Sequence, residues 1–252
     1  MTGPSWVGIG VHRSGTTWFT DLLDQHPEVK LTGVSNRGGG RKELHHFDAT
    51  LVQGRSDRAV ARYRRMFRGA HRAGEFTPDY LRSLWIPPLM QEAAPEALFL
   101  VLVRDPIDRF VSAMNWRLSR HQIARPNERL NPHWIQSRGA DAVWGGMYAT
   151  QLRVWTRFIP RERFLVQQYE HFKLFPQATM DRVWRALGLE PVPLQDVSRR
   201  SHTATPEEDK SLFSLDSVPR LSESLEATYR PEVEAMVDEW GIDASAWQYF
   251  AR

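Results

Sequence analysis

The chain of 252 residues contains no cysteine. A disulfide framework, a thiolate nucleophile and a cysteine-type zinc site are therefore all excluded. Lysine is scarce: it stands only at Lys30, Lys42, Lys173 and Lys210, so 29 of the 33 basic residues are arginine. Arginine forks onto phosphate or sulfate with two parallel bonds, which lysine cannot do, although a GC-rich coding sequence yields the same bias. No apolar run approaches the length of a membrane span. The start lacks the basic stretch and apolar run of a secretory leader, and the expectation is a cytoplasmic protein. There is no internal repeat, low-complexity tract or linker. A net charge of +3 favours an anionic ligand without demanding nucleic acid.

What is present describes an ordinary globular chain, 41% hydrophobic and 25% charged. Its length suits a single α/β domain over 1–252 with a full core. Trp6 to Val11 reads as a short buried parallel strand and Thr16 to Gln25 as the helix behind it. Val29–Leu31 reads as a second short strand. Gly33 to Arg41, centred on Gly38-Gly39-Gly40, reads as a flexible loop over a ligand. Arg55 to Arg72 reads as a basic amphipathic helix with Val60, Tyr63, Met66 and Phe67 on its core face. Gly74 to Leu81 reads as a strand end, a turn at Thr77-Pro78 and a helix start with Asp79 in its first turn. Ala97 to Val103 is apolar throughout, as a central parallel strand should be, and Ile107 to Trp116 returns as a helix. Residues 117–146 are irregular and polar and read as an insertion or lid. Helices follow at Met147–Phe158, Phe175–Leu187 and Ser222–Gly241, with a strand at Phe164–Tyr169 and a loop-rich stretch over 191–219. The alternation predicts a doubly wound sheet whose loops open at the C-terminal ends of its strands.

One further absence carries the chemistry. Gly10 and Gly15 have the spacing of a phosphate-binding loop between a strand and a helix. The nucleotide-kinase version continues with a lysine that reaches the β/γ-phosphates. Here Thr16-Thr17 follow, the cation sits earlier at Arg13, and no strand ends in a metal-binding aspartate. A phosphate-bearing nucleotide handled without metal fits that pattern; a plain strand–helix turn is the alternative. Arg104 ends the second apolar strand and Ser112 lies eight residues on, in the following helix. Arg104 either forks onto a second phosphate with Ser112 donating to it, or pairs with Asp105 or Asp108.

At these two motifs the sequence resembles the sulfotransferases that use 3′-phosphoadenosine-5′-phosphosulfate. Val11-His12-Arg13-Ser14-Gly15-Thr16-Thr17-Trp18 is similar to the family's 5′-phosphosulfate loop. Leu102-Val103-Arg104-Asp105-Pro106, with Arg109 and Ser112, is similar to its 3′-phosphate motif. Lys42-Glu43-Leu44-His45-His46-Phe47-Asp48 and Gly74-Glu75-Phe76-Thr77-Pro78-Asp79-Tyr80 resemble two segments of the heparan-sulfate-type branch. Gly146-Met147-Tyr148 through Glu170 follows its helix–strand unit. The resemblance covers the whole chain in the right order.

It implies a P-loop-like fold and metal-independent, in-line transfer of a sulfuryl group to a hydroxyl of a small-molecule or glycan acceptor. Arg13, Ser14, Gly15, Thr16, Thr17 and Trp18 would hold the 5′ end of the donor, and Arg104 and Ser112 the 3′-phosphate. Glu43 matches the general base, with His45 and His46 as rivals because imidazole titrates near neutral pH. His46, Phe47, Asp79, Tyr80 and Tyr148 are expected on the acceptor side, as is the 117–146 segment. Arg199 and Arg200, within the 191–219 loop, are placed on the donor side by position alone. Phe76 stands where the branch carries a lysine, which puts a polyanionic acceptor in doubt. A monomer or homodimer is expected, without nucleic acid. Two other readings remain: a small-molecule kinase, against which Thr16 argues, and a non-catalytic nucleotide- or glycan-binding module.

Overall fold

The computed structural model describes residues 3–35, 41–48, 50, 57–69, 71–120, 139–198 and 213–251. The triple glycine, residues 121–138 and Arg199-Arg200-Ser201-His202 lie outside them. The chain divides into two compact units, one of Met1–Val103 with Gln151–Arg200, the other of Arg104–Thr150 with Ser201–Arg252.

The first unit is built on five parallel strands: β1 (Trp6–Gly10), β2 (Lys30–Leu31), β5 (Ala73–Phe76), β6 (Leu98–Val103) and β7 (Phe164–Gln168). Their order is β2-β5-β1-β6-β7. Two further strands, β3 (Val34–Ser35) and β4 (Arg41–Lys42), form a separate antiparallel hairpin that frames the expected glycine loop. The helices of this unit are α1 (Thr16–Leu23), α2 (Asp57–Arg65), α3 (Pro87–Ala93), α6 (Tyr169–Leu174) and α7 (Pro176–Ala186). Helix α5 (Tyr148–Trp155) begins in the second unit and ends in the first.

The apolar runs explain the strand positions. Every residue of β1 is buried, and in β6 only Leu98 is partly exposed. Trp6, Leu100 and Leu102 pack with Phe19, Leu22 and Leu23 of α1 and with Phe172, Met180, Val183 and Trp184 of α6 and α7. Alternate residues serve another cluster, where Phe99 stacks on Phe164 at 5.4 Å and meets Trp155 edge-on at 5.7 Å. Arg163 closes that cluster. Its guanidinium lies 5.3 Å from the Phe99 ring centre and donates to the Ala97 carbonyl at 2.8 and 2.9 Å and to the Ala94 carbonyl at 2.6 Å.

In the second unit, α4 (Pro106–Arg120) and α8 (Pro219–Trp240) flank a helical stretch over 139–144. Asp105 caps α4: its carboxylate accepts the N–H groups of Ile107 at 2.9 Å and Asp108 at 3.2 Å, while Pro106 fills the first helical position. Burial pushes the Asp105 carboxyl up to about 6. Asn115 clasps the backbone of Phe213 through both ends of its amide. Buried Arg109 donates to the Ala142 carbonyl, and Glu232 accepts from the Thr150 N–H at 3.0 Å and from its hydroxyl. Leu225, Tyr229, Val233 and Met236 form the buried stripe of α8, which Gly241 ends at φ 65°.

Three expectations change. Met66 is exposed, because α2 stops at Arg65 and the helical period ends with it. Residues 77–86 form turns instead of a helix starting at Asp79. Val237 is exposed, lying one position off the stripe that Met236 occupies.

Candidate active site

The anion-binding loop lies between β1 and α1 and turns on Gly15. That residue has φ 82°, and a Cβ there would sit 2.6 Å from the Tyr169 ring, so both backbone and space require glycine. Thr16 opens α1, whose first-turn amides have no acceptor within the helix and concentrate positive potential toward the loop. Thr20 returns its hydroxyl to the carbonyls of Thr16 and Thr17 at 3.0 and 2.9 Å, which steadies that turn. Trp18 faces inward and packs on Phe172 at 4.2 Å. Ser14 is fully buried, and its hydroxyl has no hydrogen-bond partner among the described residues. Arg13, half-buried, is held at φ 72°. A glycine cradle, a buried unpaired hydroxyl and an adjacent guanidinium fit a phosphate-bearing group.

The second element follows the β3–β4 hairpin. Directly after β4 the chain passes through Glu43 at φ 62° and His45 at φ 48°. His45 is clamped between two carboxylates: Nε2–H donates to Glu43 Oε2 at 3.1 Å, and Nδ1–H donates to Asp48 Oδ2 at 2.6 Å. These bonds push the imidazole up to about 10, Asp48 contributing more than Glu43. At neutral pH His45 is thus an imidazolium that donates at both nitrogens and holds no lone pair for a further proton. Asp79 lies nearby with its carboxyl raised by burial, 3.7 Å from the Arg82 guanidinium. The side chains of Glu43, His45 and Asp48 are 30%, 42% and 40% exposed, so the cluster faces solvent.

The aromatic members of the expected site lie beneath it. Phe47 and Tyr80 are fully buried, and Phe47 packs with His46, Tyr63 and Tyr80 at centroid distances of 4.8 to 6.3 Å. Burial lowers the His46 imidazole, whose Nε2 meets the Ala59 carbonyl at 2.9 Å. His46 is therefore a packing histidine that anchors the loop to α2.

In the second unit, Arg104 directly follows β6 and pairs with Asp108 at 3.3 Å, as one of the two sequence readings had it. Ser112 lies one turn beyond Asp108 on the same helix. The fully buried Tyr148 donates to the Arg104 carbonyl at 2.9 Å and meets Trp247 edge-on. Tyr148 thereby fixes the backbone from which the Arg104 side chain departs.

One residue at the site had no assigned role in the sequence reading. Glu75, quoted there only as part of a motif, is fully buried in β5, opposite Val7 of β1 in register. A carboxylate inside a four-residue buried strand was the available signal, since such groups are rarely buried without partners.

A parallel sheet with a glycine-bounded anion loop after its first strand, but no lysine closing that loop, defines a P-loop-like group-transfer protein. The chain belongs to the sulfotransferase family: residues 6–219 match the sulfotransferase domain model. It is 28% identical over 198 residues to heparan sulfate glucosamine 3-O-sulfotransferase 3B1 of Mus musculus, covering 74% of this chain and 46% of that protein. Against 3-O-sulfotransferase 6 of Mus musculus the identity is 28% over 196 residues, covering 75% and 53%. The chain thus spans about half the length of these curated relatives. A solved sulfotransferase from Alicyclobacillus acidocaldarius shares the fold, with a TM-score of 0.68 at 23% identity, over 98% of this chain and 100% of that one. Membership of that family argues against the small-molecule kinase reading. No helix among the described residues is long and apolar enough to cross a membrane.

Proposed function

We propose that the chain transfers a sulfuryl group to a hydroxyl of a carbohydrate or small-molecule acceptor, with Glu43 as the general base. The observation that carries this reading is the Glu43–His45–Asp48 constellation on left-handed backbone. Of the two rival bases, His45 is already protonated and bonded at both nitrogens, whereas a carboxylate retains acceptor capacity. Asp48 orients the imidazolium, and the imidazolium orients Glu43.

3′-Phosphoadenosine-5′-phosphosulfate, the donor that the family implies, supplies an activated sulfuryl group bonded to a phosphate leaving group. Arg13, Ser14, Thr16 and Thr17 bind its 5′ end, and Arg13 stabilises negative charge where the leaving oxygen departs. Arg104 and Ser112 bind the 3′-phosphate. The names of the curated relatives favour a glycan hydroxyl as acceptor. Against a strongly anionic glycan stands Phe76, fully buried against Phe19, where a lysine would have supplied a cation.

Glu43→Gln tests the assignment. The variant is expected to keep the rise in Tm that adenosine-3′,5′-bisphosphate gives the wild type. It is expected to lose sulfuryl transfer from labelled donor to a panel of sugar and phenol hydroxyls. Wild-type turnover removes Glu43 as base. Arg13→Ala and Arg104→Ala should each abolish the bisphosphate-dependent rise, and an unchanged rise in both removes the donor assignment.

A further inference from the structure

Beneath the exposed Glu43–His45–Asp48 cluster lies a second polar assembly, wholly buried and centred on Glu75. The Tyr63 hydroxyl, from α2, donates to Glu75 Oε1 at 3.0 Å. The Thr77 hydroxyl donates to Oε2 at 2.6 Å. The Leu44 N–H and the Tyr80 hydroxyl face this carboxyl and favour its charged form. Two of these partners pass the connection on. Thr77 Oγ1 accepts the N–H of His45 at 3.3 Å, and the Tyr80 hydroxyl oxygen accepts the N–H of His46 at 2.9 Å.

The His45 amide therefore reaches this carboxyl through the Thr77 hydroxyl, the His46 amide ends on the Tyr80 hydroxyl beside it, and the Leu44 amide faces it. These amides belong to the stretch whose neighbours Glu43 and His45 are forced to positive φ. A non-glycine residue adopts that conformation at a cost of roughly 1–2 kcal/mol, so it needs a surrounding structure that leaves no alternative. A buried carboxyl offers about four acceptor positions in a fixed plane, and four donors converge here.

We infer that Glu75 is a positioning residue for sulfuryl transfer, holding the 43–46 backbone so that Glu43 and His45 meet in their observed geometry. This rests on the reading of Glu43 as base. Glu75 touches no reacting group, and its action passes through Thr77, Tyr80 and the loop amides.

The test reads loop geometry apart from turnover. In the wild type, NMR titration of the His45 ring should show it protonated well past pH 8, because both carboxylates stay within bonding distance. In Glu75→Gln one oxygen acceptor is replaced by a donor, and the His45 titration is expected to move down toward 6.5. Thr77→Val removes the hydroxyl that joins Glu75 to the His45 amide and should move it the same way, while Thr77→Ser should keep the wild-type titration. With a labelled donor and a heparan sulfate hexasaccharide or 4-methylumbelliferone, kcat should fall by about 10²-fold in both disruptive variants, the scale of a 1 Å misplacement. The bisphosphate-dependent rise in Tm should be unchanged. If Glu75→Gln does not fold, Thr77→Val decides. Wild-type His45 titration in folded Glu75→Gln or Thr77→Val overturns the inference. Wild-type turnover in Glu43→Gln instead overturns the base assignment, and the His45 titration still decides the role of Glu75.

Discussion

Glu75 also makes a quantitative prediction about stability. Burial raises its carboxyl from 4.5 to about 7, against the opposing pull of the Thr77 and Tyr63 hydroxyls, the Leu44 N–H and the Tyr80 hydroxyl. Each bond to a charged acceptor is worth about 1.5–3 kcal/mol, and desolvating a carboxylate costs several kcal/mol even after relaxation. Burial outweighs the donors by the margin that the raised value records. The folded protein holds the proton more tightly than the unfolded chain, so unfolding releases it between those two pH values. Stability from this group is complete below pH 4.5 and declines as pH rises through about 7. At about 1.4 kcal/mol per pH unit, the decline amounts to about 3 kcal/mol.

The perturbation is Glu75→Gln, which carries no titrating proton. Urea unfolding of wild type and variant, followed by the fluorescence of the buried Trp6, Trp155 and Trp184, is measured from pH 4 to 8. Asp105 and His46 titrate in or near the same range but are common to both proteins and cancel in the difference. The wild-type advantage should shrink by about 3 kcal/mol between pH 4.5 and 7.5. A flat difference refutes the raised carboxyl. A difference that widens with pH shows that the four donors outweigh burial and reverses the argument.

Gly15→Ala should abolish the rise in Tm with adenosine-3′,5′-bisphosphate, because the added methyl meets the Tyr169 ring at 2.6 Å on backbone held at φ 82°; an unchanged rise removes the loop from the binding site. Arg163→Ala should cost about 2–3 kcal/mol in urea unfolding, since it strips the Ala94 and Ala97 carbonyls of charged donors; a cost under about 0.5 kcal/mol, the level of an ordinary surface change, counts against it. His45→Gln should remove a stability contribution present below pH 6.5 and lost as pH rises through about 10. The exposure of the cluster screens that contribution, and a wild-type minus variant difference that is constant from pH 6 to 10 contradicts the ion pairs.

The sheet was legible where burial is total. Strands β1 and β6 are apolar runs between loops, and no other element accommodates such residues on both faces. Legibility failed where long-range bonds override local preference. Pro78 and Asp79 carry the signals of a helix start, yet the Thr77 N–H donates to the Gly8 carbonyl at 2.9 Å and the Leu81 N–H to the Ile9 carbonyl at 2.7 Å. Those bonds tie the 77–81 segment to β1, and the chain there runs as turns. Helix α6 escaped notice because it follows β7 without a loop and spans only six residues. The Gly10–Gly15 spacing and the Glu43–Asp48 segment were readable as motifs, and the chemistry proposed for them rests on those motifs. The role of Glu75 was not readable, because its donors come from residues 44, 63, 77 and 80 and only folding brings them to one point.

Backbone conformation separates the residues proposed for the chemistry from the structural ones more sharply than burial does. Among the described residues, four other than glycine have positive φ: Arg13, Glu43, His45 and Arg72. At Arg72 the reason is architectural. Its carbonyl accepts from both the Trp6 indole at 3.1 Å and the Lys30 N–H at 3.2 Å, and its guanidinium reaches the Gly188 carbonyl at 3.2 Å. Glycine at 13, 43 or 45 would relieve a strain of roughly 1–2 kcal/mol at each. The side chains at 43 and 45 make no comparable contribution to the core, since they are 30% and 42% exposed and bond chiefly within their own cluster. Packing therefore gives no reason to keep glutamate and histidine there. Chemistry does: a carboxylate and an imidazolium in contact, held on a backbone that a buried carboxyl does not let relax.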